Sequence, residues 1–307
     1  MKSVAVLCVV LFLGSTGGAR AADSCDRACL EGMVNQYLKA VVAHDASSLP
    51  LAKNVKYTEN GQQLPMTQGL WATATGDATY RLYAADPMAG EVGFLGVMKE
   101  NNQPIFIALR LKVADGKISE AEAVIARNGE RLFNPEGMTT PKPTLLETLK
   151  PSERSSRDEM IRIANSYFRG LDEENSGANV PFDKDCQRIE NGVMTANSTD
   201  PNATPMRQMG CKAQFDTGFS VIVTDIRDRR FPVIDEERGL VLSFVFFDHS
   251  GKITEAKLKD GTEMKISAPY NRPFTWEIAE LFKIKNGKIR QIEAVLVASP
   301  YRMKSGW

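Results

Sequence analysis

Two strand-like segments of this 307-residue chain end in Glu-Asn-Gly and carry a carboxylate that acid–base chemistry could use. In the first, Val55 and Tyr57 form an apolar face, and the period-two alternation of a strand places Glu59 on that face. In the second, Arg188 and Glu190 occupy the matching positions. A partly desolvated carboxylate suits a general acid or base, and a neighbouring arginine opposes this effect by favouring the charged form. The sequence therefore predicts two cavities of different polarity.

A second pair of matched carboxylates lies in the closing hairpins, where Glu122 and Glu293 each precede Ala-Val. If Glu59 faces Glu122, and Glu190 faces Glu293, mutual repulsion would leave one member of each pair protonated, as acid–base catalysis requires. The alternative is architectural. Glu-Asn-Gly commonly sits at a hairpin turn, and its presence in both copies suits a shared role in folding.

Other residues with chemical potential lie in the second copy. Arg227 and Asp228 belong to a charged run that fits either a solvated hairpin or an Arg and Asp pair that grips an oxygenated ligand. His249 follows Asp248 at the end of an apolar strand and could shuttle protons near neutral pH, or simply belong to a turn. Since adjacent strand residues face opposite sides, Asp248 is not expected to orient His249.

The elements that must position these residues occur twice. An amphipathic helix bearing Tyr37 or Tyr167 precedes a Pro, and the step from Pro50 to Glu59 is nine residues, as it is from Pro181 to Glu190. We predict a signal peptide at 1–21, domain 1 at 22–133, a Pro-rich linker at 134–156, and domain 2 at 157–307. Domain 2 carries about 40 extra residues, which we expect within 194–208, 225–239 and 248–270.

Residues 1–21 have the charged start, short apolar run and small-residue cleavage site of a secretory signal, so we expect export to the periplasm or medium without membrane insertion. Four cysteines then remain. They allow three pairings, and we favour Cys25 with Cys29 and Cys186 with Cys211, because each pair stays within one copy. A metal site at Cys25 and Cys29 lacks companions, since the chain has only two histidines.

The charge balance is even, with 38 basic and 38 acidic side chains and no basic block, so nucleic acid is not an expected partner. No phosphate-binding glycine loop, dinucleotide fingerprint or serine nucleophile elbow is present. We therefore expect neither a metal nor a cofactor. Cofactor-free acid–base chemistry or plain binding remains.

Several motifs together resemble those of a family of exported bacterial and fungal proteins with two SnoaL-like units in tandem, within the nuclear-transport-factor-2-like superfamily. They are residues 29–32, 37–38, 43–45, 57–61 and 69–71 in the first copy and residues 186–192, 227–233, 247–249 and 300–307 in the second. The resemblance implies an α+β fold of two cone-shaped domains, each a bent antiparallel sheet covered by N-terminal helices. Such cones commonly hold a mostly apolar pocket. Superfamily activities range from dehydratases and isomerases to non-catalytic binders, so the fold alone assigns no function.

These observations predict an exported enzyme, a lyase, isomerase or hydrolase, acting on a small, partly aromatic or oxygenated molecule. The expected catalytic residues are Glu190, Arg188, Arg227, Asp228, His249 and Tyr301, and the expected ligand-binding residues are Tyr57, Glu59, Trp71, Trp276 and Glu293. A non-catalytic binder or a structural tandem, which forms a pseudo-dimer within one chain, is the alternative. Because Arg188 replaces Tyr57 at the matching position, we expect the functional site in the second copy.

Overall fold

The structure, a computed structural model, describes residues 25–307, and the predicted signal peptide lies outside that range. We call residues 25–126 the first half and residues 157–307 the second half. The first half contains α1 (Arg27–Ala43), β1 (Leu51–Glu59), β2 (Gln62–Gln63), α2 (Leu70–Thr73), β3 (Ala74–Asp86), β4 (Glu91–Glu100), β5 (Gln103–Ala114) and β6 (Lys117–Ala126). Between the halves lies the short helix α3 (Pro143–Leu146).

The second half repeats this order with additional elements. It contains α4 (Arg157–Asp172), β7 (Phe182–Glu190), β8 (Val193–Ala196), α5 (Pro205–Gln208), α6 (Cys211–Asp216), β9 (Asp225–Asp235), β10 (Leu240–His249), β11 (Glu255–Lys257), β12 (Glu263–Lys265), β13 (Phe274–Lys285) and β14 (Lys288–Ser299). The two large sheets are six-stranded, with the orders β2-β1-β6-β5-β4-β3 and β8-β7-β14-β13-β10-β9. The predicted α+β class is therefore confirmed, with two six-stranded sheets whose strands follow the same order.

Local signals explain where the two long helices begin. The side chain of Asp26 accepts a hydrogen bond from the backbone of Cys29 at the start of α1, and Ser156 caps α4 in the same way. Apolar residues then recur at helical spacing and are buried against one face of each sheet. We call this helix-covered side the inner face of each sheet. Among residues 25–307, none of the helices has the length and apolarity needed to cross a membrane.

The opposite faces of the two sheets pack against each other and form a third apolar cluster. Strand β13 shows the division: Ile278 and Phe282 lie in the inner cluster, while Ala279 and Leu281 lie in the cluster shared by both halves. Leu82 and Phe106 are among the first-half residues of that shared cluster. Each sheet therefore has one face for its own helix and one for the other half.

The extra residues of the second half fall in two places, and one of the three predicted places is wrong. Ten residues (64–73) separate β2 from β3, whereas 28 residues (197–224) separate β8 from β9. Two residues separate β4 from β5, whereas 24 (250–273) separate β10 from β13. Nothing is inserted between β9 and β10, since residues 87–90 and 236–239 form connections of the same length.

Candidate functional site

A cavity of about 320 Å³ opens on the inner face of the second sheet. Arg188, Glu190, His249 and Trp276, four residues that the sequence analysis singled out, all line it. The first insertion contributes Arg207, the second contributes Met264 and Tyr270, and the segment after β6 contributes Arg131, so these three segments cover the cavity. The inserted segments therefore form walls above the inner face of the sheet and create the cavity.

Arg188 occupies the floor of the cavity and is only 5% exposed. Its guanidinium donates to the hydroxyl of Thr195 at 3.0 Å, to the hydroxyl of Tyr167 at 3.3 Å and to the side-chain carbonyl of Gln214 at 2.5 Å. The carboxylate of Glu190 lies 3.6 Å from its Nε. The predicted pairing of these two residues on one strand face is therefore present, and neutral partners hold the arginine in place.

A disulfide ties this arrangement together. Cys186 lies on β7, two residues before Arg188, and is bonded to Cys211 at the start of α6. Gln214 on that helix contacts Arg188 and also donates to the backbone carbonyl of Thr195 at 2.8 Å. The second disulfide joins Cys25 to Cys29, so both predicted pairings are confirmed.

His249 ends β10, and its side chain is fully buried in an aromatic cluster. Its ring stacks on Phe274, with centroids 4.4 Å apart, and meets Trp276 edge-on at 4.9 Å. Nδ1 lies 3.2 Å from the carbonyl oxygen of Phe247, so in the neutral ring Nδ1 carries the proton. Nε2 has no hydrogen-bond partner among residues 25–307. Burial lowers the pKa of His249 to about 4, so the imidazole is neutral and its Nε2 is a free acceptor.

Glu280 is a polar group of the inner face that the sequence analysis missed. On β13 it lies between Ile278 and Phe282 on the inner side, which identifies it as the single acid of an otherwise apolar strand face. Burial, and after it the negative charge of Glu190, raises the pKa of Glu280 to about 8, against the opposing effect of Arg188. Glu280 is therefore largely protonated at neutral pH. An acid at an inward position of an otherwise apolar alternating strand is the sequence signal that would have identified Glu280.

The interior of the first half is filled by its own side chains. Tyr57 donates to Glu59 at 2.8 Å, and Glu59 also accepts from the backbone of Leu70 at 2.7 Å and from Arg127 at 2.9 Å. Trp71 is 1% exposed and donates to the hydroxyl of Tyr37. Tyr57, Glu59 and Trp71 were predicted to bind a ligand. In the structure these three side chains instead form hydrogen bonds to protein groups and fill the interior.

Arg227, Asp228 and Tyr301 do not reach the cavity, so their predicted catalytic grouping with His249 is wrong. Arg227 donates to both carboxylate oxygens of Asp248, at 2.8 and 3.2 Å, and Asp248 projects to the side of β10 opposite to His249. Asp228 is exposed and pairs with Arg227. Tyr301 is 40% exposed in the C-terminal tail. The charged run thus forms structural ion pairs rather than a ligand grip.

The predicted pairing of Glu190 with Glu293, and of Glu59 with Glu122, is also wrong. Glu293 lies on the face shared by the two halves and accepts a hydrogen bond from Tyr80 at 2.5 Å, while Glu122 on the equivalent face binds Arg110. The physical reason is a shift of register between Ile289 and Gln291 in β14, and a matching one in β6. Such a bulge reverses which side later residues face.

The C-terminal tail joins the two halves away from the cavity. The indole of Trp307 donates to the hydroxyl of Thr58 on β1 at 2.8 Å and lies against Lys56 and Arg110. Arg227 donates to the backbone carbonyl of Met303 at 2.6 Å. The tail therefore docks on the first half. Among residues 25–307, no group of three or more His, Cys, Asp or Glu side chains is arranged to hold a metal ion.

Comparison with known proteins gives a family without an assigned activity. A family model described as "Domain of unknown function (DUF8021)" matches residues 23–125 and 153–296. No curated protein matches the chain.

Solved structures give distant similarities. AusH from Aspergillus nidulans is 15% identical over 46% of this chain and 86% of AusH, with a TM-score of 0.28. A candidate ketosteroid isomerase from Kribbella flavida is 14% identical over 39% of this chain and 95% of its own, with a TM-score of 0.28. AclR, a candidate hydroxylase from Streptomyces galilaeus, is 14% identical over 34% of this chain and 82% of its own, with a TM-score of 0.28. At these values the similarities assign no activity.

Proposed function

The chain belongs to the family described as Domain of unknown function (DUF8021), and we propose that its second half is a cofactor-free acid–base enzyme for small, partly aromatic or oxygenated molecules. The reaction would be a lyase, isomerase or hydrolase step in a cone-shaped SnoaL-like domain. The observation that carries this proposal is the free Nε2 of a neutral, buried His249 in the same cavity as the Arg188 and Glu190 pair.

Each group has a role that its geometry supports. Nε2 of His249 accepts a proton from the substrate, because the ring is neutral and Nδ1 is held by a backbone carbonyl. Arg188 then stabilises the developing negative charge from a preorganised position, since three neutral partners hold its guanidinium. Glu190 is the alternative base, with its carboxylate 3.6 Å from Arg188.

A binding function without turnover is the second candidate. The hydrogen bonds from Arg188 to protein partners favour it, because donors used by Thr195, Tyr167 and Gln214 are not available to a reacting group. The low pKa of His249 also makes it a weak base. In this case the cavity would hold a ligand that is released unchanged.

Deuterium exchange distinguishes catalysis from binding without turnover, even though the natural substrate is unidentified. Ring-bearing carbonyl compounds that bind the protein are incubated with it in deuterium oxide and recovered for mass spectrometry. The acid–base proposal expects deuterium incorporation by the parent protein and at least about a hundredfold slower incorporation by His249→Phe, which keeps an aromatic ring against Phe274. If bound compounds are recovered without deuterium, the protein is a binder.

Export is part of the proposal. Two disulfides are typical of proteins from oxidising compartments, and Cys25 and Cys186 belong to different halves, so each half has its own. We propose that residues 1–21 direct the chain there and are removed.

A further inference from the structure

The lining of the cavity is positively charged although the whole chain is neutral. Three arginines and one glutamate line it, and Glu190 is already adjacent to Arg188. His249 contributes no charge at neutral pH, because its pKa is about 4. The formal charge of the whole chain is +0, so the positive lining does not simply follow from the overall charge. A cavity of this kind concentrates anions.

Two of the arginines have no carboxylate partner. Arg131 and Arg207 form no ion pair within 4.0 Å among residues 25–307, whereas Arg110, Arg127 and Arg230 each bind a glutamate. The guanidinium carbon of Arg131 lies 4.4 Å from the ring centroid of Tyr270. Both arginines lie in segments that cover the cavity, one after β6 and the other in α5. Arg131 donates to the backbone carbonyl of Ala268 at 3.5 Å, and with no carboxylate bound, most donors of the two guanidinium groups remain available to a ligand.

The rest of the lining suits a flat ring. Tyr270, Trp276, Phe247 and Phe219 form the aromatic part of the wall, with the ring of His249 among them. A volume of about 320 Å³ is at the small end of the range for ligand cavities, which indicates a compound of one or two rings. An aromatic wall alone would also suit a quaternary ammonium ion, but two unpaired arginines repel a cation.

We propose that this cavity selects small aromatic anions, with Arg131 and Arg207 binding the anionic group and Tyr270 and Trp276 holding the ring. The inference deepens the proposed function and rests on it for the identity of the cavity as the substrate site. A carboxylate fits the arginines best, because a guanidinium can offer it two parallel hydrogen bonds. The substrate class is therefore an aromatic acid whose ring lies beside Nε2 of His249.

Calorimetric titration of the full chain tests the charge preference with three probes of the same ring: naphthoate, naphthamide and a naphthylmethyl trimethylammonium ion. We expect naphthoate to bind about tenfold more tightly than naphthamide at low salt, and the cation to bind more weakly than either. In the R131Q/R207Q double variant the preference for naphthoate should disappear, while the affinity for naphthamide stays the same.

The matched control is R154Q/R162Q, which removes the same charge at positions that do not line the cavity and should keep the full preference. Equal affinity of the parent protein for naphthoate and naphthamide, the absence of saturable naphthoate binding, or an unchanged preference in R131Q/R207Q would each overturn the inference. The catalytic proposal has its own test: it is contradicted if the parent protein incorporates no deuterium into bound compounds. His249→Phe should still prefer naphthoate.

Discussion

The two halves use the same strands for different purposes. The seventh residue of the first strand is Tyr57 in β1 and Arg188 in β7, and the seventh residue of the long central strand is Leu109 in β5 and Glu280 in β13. In the first half these positions belong to a filled apolar core. In the second half Arg188 lines the cavity, and Glu280 is a buried, largely protonated acid on the same face of the sheet. A few inward substitutions therefore separate a stabilising copy from a copy with a candidate active site.

Insertions complete the difference. The second half has 28 residues between β8 and β9 and 24 between β10 and β13, and these segments supply Arg207 and Tyr270 to the cavity wall. The first half connects the equivalent strands directly or through α2, whose Trp71 enters the core. The inserted segments supply the depth of the cavity and Arg207, while strand β7 supplies Arg188 and Glu190.

The largest expected effect concerns the filled interior. Trp71→Ala should lower the free energy of unfolding by about 3–5 kcal/mol, because it leaves a void under α1 that the sheet cannot close. Trp276→Ala lies on a cavity wall that is already open, and should cost roughly half of that or less. Denaturant unfolding of both variants provides the comparison. Equal losses would mean that the two interiors are equally well packed.

The second effect is a dependence of stability on pH. It should arise from Glu280 in the second half, because the equivalent residue of the first half, Leu109, does not titrate. The pKa of Glu280 is raised from 4.5 to about 8, so the folded state binds its proton more tightly than the unfolded state. The stability of the parent, relative to Glu280→Gln, should be greatest below pH 4.5 and fall by a few kcal/mol as the pH rises to about 8. Urea unfolding at several pH values measures this difference.

Glu255→Gln, at an exposed position, is the matched control and should follow the parent profile. Glu277, whose pKa burial raises to about 8, and Glu293, whose pKa burial raises to about 7, remain in both proteins and so cancel in the comparison. Parallel profiles for the parent and Glu280→Gln would show that Glu280 titrates normally.

Matched glutamates give the third test. Glu190→Gln should slow deuterium incorporation, because it removes the carboxylate beside Arg188, which is also the alternative base. Glu59→Gln changes the equivalent residue of the first half, where Tyr57, Leu70 and Arg127 already occupy the carboxylate. It should leave the exchange rate unchanged and lower stability instead. Loss of exchange in Glu59→Gln would contradict the division of roles between the halves.

The smallest effect tests how the halves are joined. Trp307→Ala removes the hydrogen bond to Thr58 and the contacts with Lys56 and Arg110, and should lower the free energy of unfolding by about 1–2 kcal/mol. Tyr301→Ala, at an exposed position of the same tail, should change it by less than about 0.5 kcal/mol. A similar small change in both variants would show that the tail does not couple the halves.

Much of the architecture could be predicted from the sequence because it is repeated and periodic. The spacing from Pro50 to Glu59 and from Pro181 to Glu190 aligned the two copies, and the alternation of β7 correctly placed Arg188 beside Glu190. The cysteine pairing followed from keeping each pair within a copy. Residue spacing, strand alternation and cysteine positions can all be read from the sequence alone.

The errors arose where faces depend on register. Strict alternation from Ile118 and from Ile289 predicts that Glu122 and Glu293 face inward, but a bulge in each strand reverses the side that they face. Arg227 was grouped with His249, although Asp248 on the other side of β10 binds it. Bulges and packing partners depend on the whole sheet, which a single strand pattern does not contain.

The three tryptophans provide the most direct test, because one lies in each region: Trp71 in the filled interior, Trp276 at the cavity and Trp307 in the tail. An NMR titration of their indole N–H signals with naphthoate reports on all three at once. We predict a saturable shift of the Trp276 signal with no change at Trp71. A shift at Trp71, or none at Trp276, would contradict the claim that the binding cavity lies in the second half.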